Sequence, residues 1–316
     1  MKSTRVPSLL FVFVIALLAS SFCATSFVQA QENSTTTISI APASVIQGEP
    51  IMITLPGISL SQIASASIQN NPRKNATTSL YFTIFKSQPT SVYGVDINAA
   101  TGTRTISVNL KNGSTLSGTF VTLDRKKYEA TLPVPEKLGG NSATNTLRVV
   151  SILAKENTSI ATIVAKKDKA YWTSTFAYPL RGQILVTDPY GYIRDTGEGS
   201  AGSQSAATIT HKGTDFHAVL GTPVYAINDG TVRLAKTYTV YGKTIIVDHG
   251  LGIESLYMHL SKIVVAPGKK VKKGNLLGYS GSTGYAEAAH LHLSIKIGGT
   301  SIDPMKFFDL FNPQQI

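Results

Sequence analysis

Thiol chemistry is almost absent from this chain, whose 316 residues include one cysteine, Cys23. That residue lies near the apolar run LLFVFVIALLA, which follows Lys2 and Arg5 and leads into SFVQA. The pattern reads as a secretory signal over residues 1–30, cleaved after Ala30. The run from Leu9 to Ala19 is shorter than the roughly 20 apolar residues a spanning helix needs. Phe22, just ahead of Cys23, is too bulky for a lipoprotein processing site. The expectation is therefore export to the cell envelope, cell wall or medium, with neither a disulfide nor a sulfur ligand in the mature protein. Any metal would have to be held by His, Asp or Glu. Acidic residues are also scarce, 18 Asp and Glu against 29 Lys and Arg. Without Lys2 and Arg5 the mature net charge is about +9. No basic stripe interleaved with aromatics and no helix-turn-helix pattern accompanies it, so no nucleic-acid partner is expected. An anionic cell-wall polymer or membrane surface suits an exported cation better, unless the charge serves solubility alone.

With 42% hydrophobic residues the chain can build two ordinary domains. Residues 31–132 are rich in Thr, Ser, Val and Ile, with turn signals QGEP, LPG, NNPRKN, ATGT and KNGS between strand-length runs such as TRTISVNL and TFVTLD. This predicts an immunoglobulin-like β-sandwich. PVPEKLGGNSATN then opens a partly helical connector over residues 133–175, in which Asn157 and Thr158 should interrupt one or two short helices. From residue 176 to 316 dense turn signals between apolar runs imply a compact, mostly antiparallel β domain. Within it PVYAINDGTVRLA reads as a hairpin turning at Asp229-Gly230. SAGSQSAATIT, ahead of His211, reads as an exposed, mobile loop. The chain as a whole is expected to be mostly β and monomeric.

All six histidines lie between His211 and His292. In HKGTD, His211 and Asp215 are four apart, and Gly213 between them can bend the backbone so that an imidazole and a carboxylate meet. In HLH, a strand puts His290 and His292 on one face while Leu291 and Leu293 turn to the core. Two imidazoles and a carboxylate are a workable ligand set for a catalytic metal. Taken singly the signals are ambiguous: His211 and Asp215 could be a surface pair, and His259 in SLYMHLS could be structural. His249 in VDHGLG reads as structural or as a support for the site, and His217 as a surface or groove residue.

From about Phe176 to Phe308 the order HKGTD, GTPVYAINDGTV, IIVDHGLGIESLYMHLS, VKKGNLLGYSGSTG, HLHLSI and IDP resembles the lysostaphin-like, LytM-type zinc metallopeptidases. The resemblance covers a little under half of the chain. It implies an antiparallel β domain of the duplicated hybrid motif type, sometimes preceded in exported members by an immunoglobulin-like domain. It also implies zinc held by His211, Asp215 and His292, and catalytic histidines at His259 and His290. The implied activity is hydrolysis of peptide bonds in bacterial peptidoglycan, in the stem or the cross-bridge. No HExxH glutamate is present to take the proton from water, so the two non-ligand histidines would have to do so.

Tyr190 and Arg194 in DPYGYIR resemble the family's segment ahead of the first ligand and are candidate substrate contacts, although the spacing to His211 is loose. Ala288-Ala289 stands where the family usually has Gly-Pro, a change that should alter loop stiffness rather than chemistry. A silent wall-binding protein that activates another hydrolase is the alternative, but all five His and Asp positions are retained. A sugar-phosphate or nucleic-acid binder would leave their ordered spacing unexplained.

Overall fold

Strand alternation organises the first half of the chain. In Gly102–Leu110 the residues Arg104, Ile106, Val108 and Leu110 are buried while those between them are not, the period-two pattern of a strand covered on one face. A five-stranded sheet runs in the order Ser44–Ile46, Thr115–Leu123, Gly102–Leu110, Ile63–Asn71, Lys74–Ser79. A four-stranded sheet runs Ser39–Ala41, Pro50–Thr54, Gln88–Gly94, Thr83–Phe85. The two share one apolar core, with Val45, Ile68, Ile106 and Phe120 from the first sheet against Ile51 and Ile53 from the second. The computed structural model describes residues 37–312 except 72–73, 132, 141, 165–168 and 196–207. The expected signal segment and the expected loop up to residue 207 lie outside the described residues; the loop's last residues, Thr208–Thr210, instead form a strand paired with Ile193–Asp195.

The connector differs from expectation. Helix α1, Ala143–Ile163, is a single 21-residue helix that continues through Asn157 and Thr158. Thr158 Oγ1 donates to the Ala154 carbonyl (3.0 Å), so its hydroxyl is satisfied inside the helix, and Asn157 Oδ1 accepts from the Tyr241 hydroxyl (2.6 Å). Tertiary partners thus outweigh a weak local preference.

The second half is built on an antiparallel sheet in the order Val186–Asp188, Thr214–His217, His290–Ile297, Ile253–Leu260, Lys243–Gly250, Gly230–Thr237, Lys270–Val271, with Thr300–Ile302 paired to His290–Ile297. Both faces are covered. One carries Phe216, Ile245, Val247, Tyr257, Leu291 and Leu293 into the main core. On the other, Ile246, Leu256 and Met258 pack against Ile160 and Val164 near the end of α1. Lys243–Gly250 turns into Ile253–Leu260 through Leu251 (φ +53°) and Gly252 (φ +76°), two left-handed residues that suit a two-residue hairpin.

The hairpin expected at Asp229-Gly230 does not form. Pro223–Tyr225 pairs with Leu276–Tyr279 in a small separate sheet, whereas Gly230–Thr237 pairs with Lys243–Gly250 and Lys270–Val271. The link between them is held by the core and by its own polar partners. Ala226 and Ile227 are buried, Asn228 Nδ2 donates to the Ser174 carbonyl (2.9 Å), and Asp229 accepts from Lys272 Nζ (2.7 Å) and the Lys273 amide (2.9 Å).

The two halves are joined by aromatic packing. Phe85, from the four-stranded sheet, meets Trp172 and Phe311 edge-on, each at 5.5 Å between ring centroids. Phe311 ends helix α2, Pro304–Phe311, whose N-cap Asp303 accepts from the Met305 and Lys306 amides. Residues 36–316 form one compact unit.

Candidate active site

Asp215 lies opposite His292, and His217 opposite His290, where Thr214–His217 pairs with His290–Ile297. On the other side of that strand, Met258 lies opposite His292. His211 precedes this ladder and is pinned by its backbone: its amide donates to the Tyr192 carbonyl and its carbonyl accepts from the Gly191 amide, both 2.8 Å. Gly213 bends the backbone, as expected, and also makes room. Its φ lies outside the left-handed region, and a Cβ there would collide with the His292 ring.

Three ligand-type atoms converge in this frame. His211 Nε2 is 3.1 Å from Asp215 Oδ1 and 3.0 Å from His292 Nδ1, which is itself 2.7 Å from Asp215 Oδ1. All three residues are buried, 3 to 7% exposed. The outer partners fix the protons. His211 Nδ1 donates to the Pro189 carbonyl (2.9 Å), which can only accept, leaving Nε2 bare. The Ser294 hydroxyl has one hydrogen, which goes to the Lys212 carbonyl (2.8 Å), so it accepts from His292 Nε2 (2.9 Å), leaving Nδ1 bare. Two bare imidazole nitrogens and a carboxylate oxygen at such distances are satisfied by a positive charge between them, a proton or a metal ion. The group His211, Asp215, His292 can hold a metal ion. Burial alone would raise the Asp215 carboxyl, but the two imidazoles hold it well below the usual carboxylate range.

Two further histidines face the same place. His259 Nδ1 donates to the Thr283 carbonyl (2.8 Å) and His290 Nδ1 to the Ala288 carbonyl (2.9 Å). Their rings lie 4.9 Å apart, and the His259 ring is 5.8 Å from that of His292. His290 Nε2 is 3.8 Å from Asp215 Oδ1. His259 has φ +59°, a left-handed conformation uncommon outside glycine, at a register shift between its strand and Lys243–Gly250. The irregularity re-aims one side chain at the end of an otherwise regular strand. Burial first, and then the neighbouring His290 and His292, push the His259 imidazole well below its ordinary pKa, so it is neutral at neutral pH.

The centre opens into a cavity of about 710 Å³ between the sheet and α1, with Leu153, Asn157 and Ile160 on the helix side and Leu256, Met258 and His259 on the sheet side.

Tyr190, Arg194, His217 and His249 are the remaining candidates. Tyr190 is 2% exposed; its hydroxyl donates to the Ser301 carbonyl (2.8 Å) and the Arg125 guanidinium stacks 5.2 Å from its ring. As packed here its side chain is an internal strut with no surface for a substrate. Arg194 lies in the strand Ile193–Asp195, and its side chain is outside the described residues. His217 is exposed at the rim opposite His290. His249 is fully buried, its Nδ1 donating to the Asp229 carbonyl (2.7 Å) and its ring edge-on to Phe176 at 5.4 Å. Of the orienting groups, Ser294 was accessible to sequence reading, since HLHLS places it two residues beyond His292 on the same strand face. The carbonyls of Pro189, Thr283 and Ala288 leave no trace in residue type.

Residues 209–304 match the family model for Peptidase family M23. The peptidoglycan DD-endopeptidase ShyA of Vibrio cholerae is 40% identical over 96 residues, 30% of this chain and 22% of that protein. The glycyl-glycine endopeptidase ALE-1 of Staphylococcus capitis is 42% identical over 104 residues, 31% of this chain and 28% of that protein. The chain thus spans less than a third of these relatives' length. A crystal structure of a putative peptidase M23 from Pseudomonas aeruginosa has the same fold, with a TM-score of 0.52 at 21% identity over 84% of this chain and 96% of that one.

Proposed function

We propose that the Peptidase family M23 domain formed by residues 209–304 makes this chain an exported, zinc-dependent endopeptidase that hydrolyses peptide bonds in bacterial peptidoglycan. The observation that carries this reading is the uniform direction of four imidazoles. His211, His259, His290 and His292 each direct one nitrogen to a carbonyl or hydroxyl on the protein side. Their second nitrogens are left for the cleft and for Asp215. The substrate class rests on relatives whose names place them on peptidoglycan or on its glycyl-glycine bonds. An immunoglobulin-like reading of the first half, a signal at residues 1–30, a monomeric state and attraction of the net positive charge to anionic wall polymer complete the picture.

His211, Asp215 and His292 would hold zinc, a donor set of two imidazoles and one carboxylate that suits this ion. When bound, zinc supplies Lewis-acid activation of water and of the scissile carbonyl at neutral pH. The chain's own residues then manage the protons. His259, kept neutral by burial, takes a proton from the attacking water. That proton passes to His290, whose ring lies 4.9 Å from that of His259; once protonated at Nε2, His290 steadies the carbonyl oxygen and donates to the amine as the carbon–nitrogen bond breaks. Water thus supplies the new hydroxyl to the carboxyl product and a proton to the amine.

The test is to incubate the mature chain with isolated peptidoglycan, with and without a zinc chelator, and to identify released peptide ends by mass spectrometry. Chelator-sensitive new ends name the bond. His292→Ala should fold, bind no zinc and release nothing. His259→Ala and His290→Ala should keep their zinc and lose roughly 10²–10⁴-fold in kcat. Wild-type kcat in either would remove it from the mechanism, and wall binding without cleavage in the presence of zinc would favour the silent activator.

A further inference from the structure

The cavity that opens from the metal centre ends in two lysines. Lys212 directly follows His211, and Lys296 lies on the same strand face as His290, His292 and Ser294, since even steps along a strand share a face. Both line the cavity, together with Ser301. Lys296 is half-buried and its Nζ donates to Ser301 Oγ at 2.7 Å, a neutral acceptor that uses one of three ammonium hydrogens. Among the described residues neither lysine forms an ion pair with a carboxylate.

Acids do lie near Lys296, but among the described residues none is in contact with its ammonium group. Glu254 is opposite it in the sheet, 1% exposed, with neither carboxyl oxygen hydrogen-bonded. Burial first, and then the charge of Asp248, push Glu254 up to about 9, against the attraction of Lys296. Asp248 is itself matched by Arg233 at 2.6 Å. Glu254, and then Asp96 from the first half of the chain, attract Lys296 more weakly than burial and Lys212 oppose its charge. Burial, and then repulsion by Lys212, push Lys296 down to about 8, which leaves it charged at pH 7.

A half-buried ammonium with no carboxylate in contact has hydrogens left for an anionic ligand entering the cavity. Lys296 lies four residues beyond His292, roughly 13 Å at about 3.3 Å per strand residue. An extended peptide with its scissile bond at the metal centre covers that distance in about four residues. Leu256 and Met258 lie between the two ends, so the floor there accepts small aliphatic side chains.

We propose that Lys212, Lys296 and Ser301 form a subsite that binds a carboxylate of the substrate peptide about four residues from the bond that is cut. This rests on the peptidase reading above. It makes the enzyme a reader of anionic peptides, with unmodified carboxylates favoured over their amides.

The test compares zinc-loaded wild type with Lys296→Gln, Lys296→Met and Lys212→Gln. The substrates are cross-linked muropeptide dimers with free carboxylates and the same dimers with those groups converted to primary amides. Wild type should favour the acid form by about ten- to a hundredfold in kcat/KM, chiefly through KM, as expected for a hydrogen-bonded charge. Either Lys296 variant should bring the acid-to-amide ratio close to one, and Lys212→Gln should lower it partly, with thermal unfolding midpoints showing that each protein is folded. A wild type without preference, or Lys296 variants that retain it, overturns the subsite. If wild type cuts neither dimer, the peptidase reading fails separately, and equilibrium binding of the labelled acid and amide dimers decides the subsite. Tighter binding of the acid that is lost in Lys296→Gln supports it, and equal binding overturns it.

Discussion

An imidazole that faces a metal is useful only if its other nitrogen is held, and for His292 the holder is Ser294, itself tied to the Lys212 carbonyl. Ser294→Ala removes that partner and frees the ring to turn. The expected result is a ten- to hundredfold loss of zinc affinity, read by competition with a chelating dye. The metal-free protein should lose only about 1 kcal/mol in denaturant unfolding. Unchanged zinc affinity would show that packing alone orients His292. At this scale the sequence was readable where chemistry follows residue type and period. HLH implied two imidazoles on one face, and Leu291 and Leu293 are indeed fully buried behind them. Gly213 was legible as a bend, but not as the space for His292 that its missing side chain provides. The left-handed backbone at His259 has no counterpart in SLYMHLS, because it arises from a mismatch between neighbouring strands.

Helix α1 shows how an element is decided by what it packs against. Glu156, in its middle, is buried and accepts from the amides of Thr239, Val240 and Tyr241 at 2.6 to 3.2 Å. These three donors belong to the turn between Gly230–Thr237 and Lys243–Gly250, so one carboxylate fastens the helix to the edge of the cleft. Glu156→Ala leaves buried donors unmatched and should destabilise the protein by about 3 kcal/mol, seen as a lower urea midpoint. Faster hydrogen exchange should be confined to α1 and residues 239–241. Protection equal to wild type would mean that Ile160 and Val164 hold the helix without the clamp. ENTS within a helical run reads locally as a break, and nothing in it points to a turn more than 80 residues later. The segment around Asp229-Gly230 fails in the opposite way. Its strong turn dipeptide is used to cross between two sheets because Ala226 and Ile227 are drawn into the core.

Across the whole molecule, burial sets the response to acid. His249 is held in the core with its imidazole pushed down from 6.5 to about 4, first by burial. Between those values the unfolded chain binds a proton that the native protein refuses, so stability falls as pH drops through that window. The loss reaches on the order of 3 kcal/mol by pH 4, and His259 acts in the same sense. His249→Gln should unfold more easily at pH 7, because it loses the ring contact with Phe176, yet show a weaker drop in urea midpoint between pH 7 and pH 4.5. Parallel drops in both proteins would mean that other groups carry the acid response. The two halves should also unfold together, since Phe85, Trp172 and Phe311 form one aromatic cluster across them.

The sequence by itself determined the mostly β composition and the residue types gathered at the centre. Each of these follows from local period, turn chemistry and the confinement of histidine to one stretch of the chain. Only the tertiary structure decided which nitrogen of each imidazole is bare, why Gly213 must be glycine, that α1 runs unbroken beside the cleft and that Tyr190 is an internal strut. Those outcomes depend on hydrogen bonds and contacts between residues far apart in the chain. Carbonyl positions of that kind exist only once the sheets are assembled.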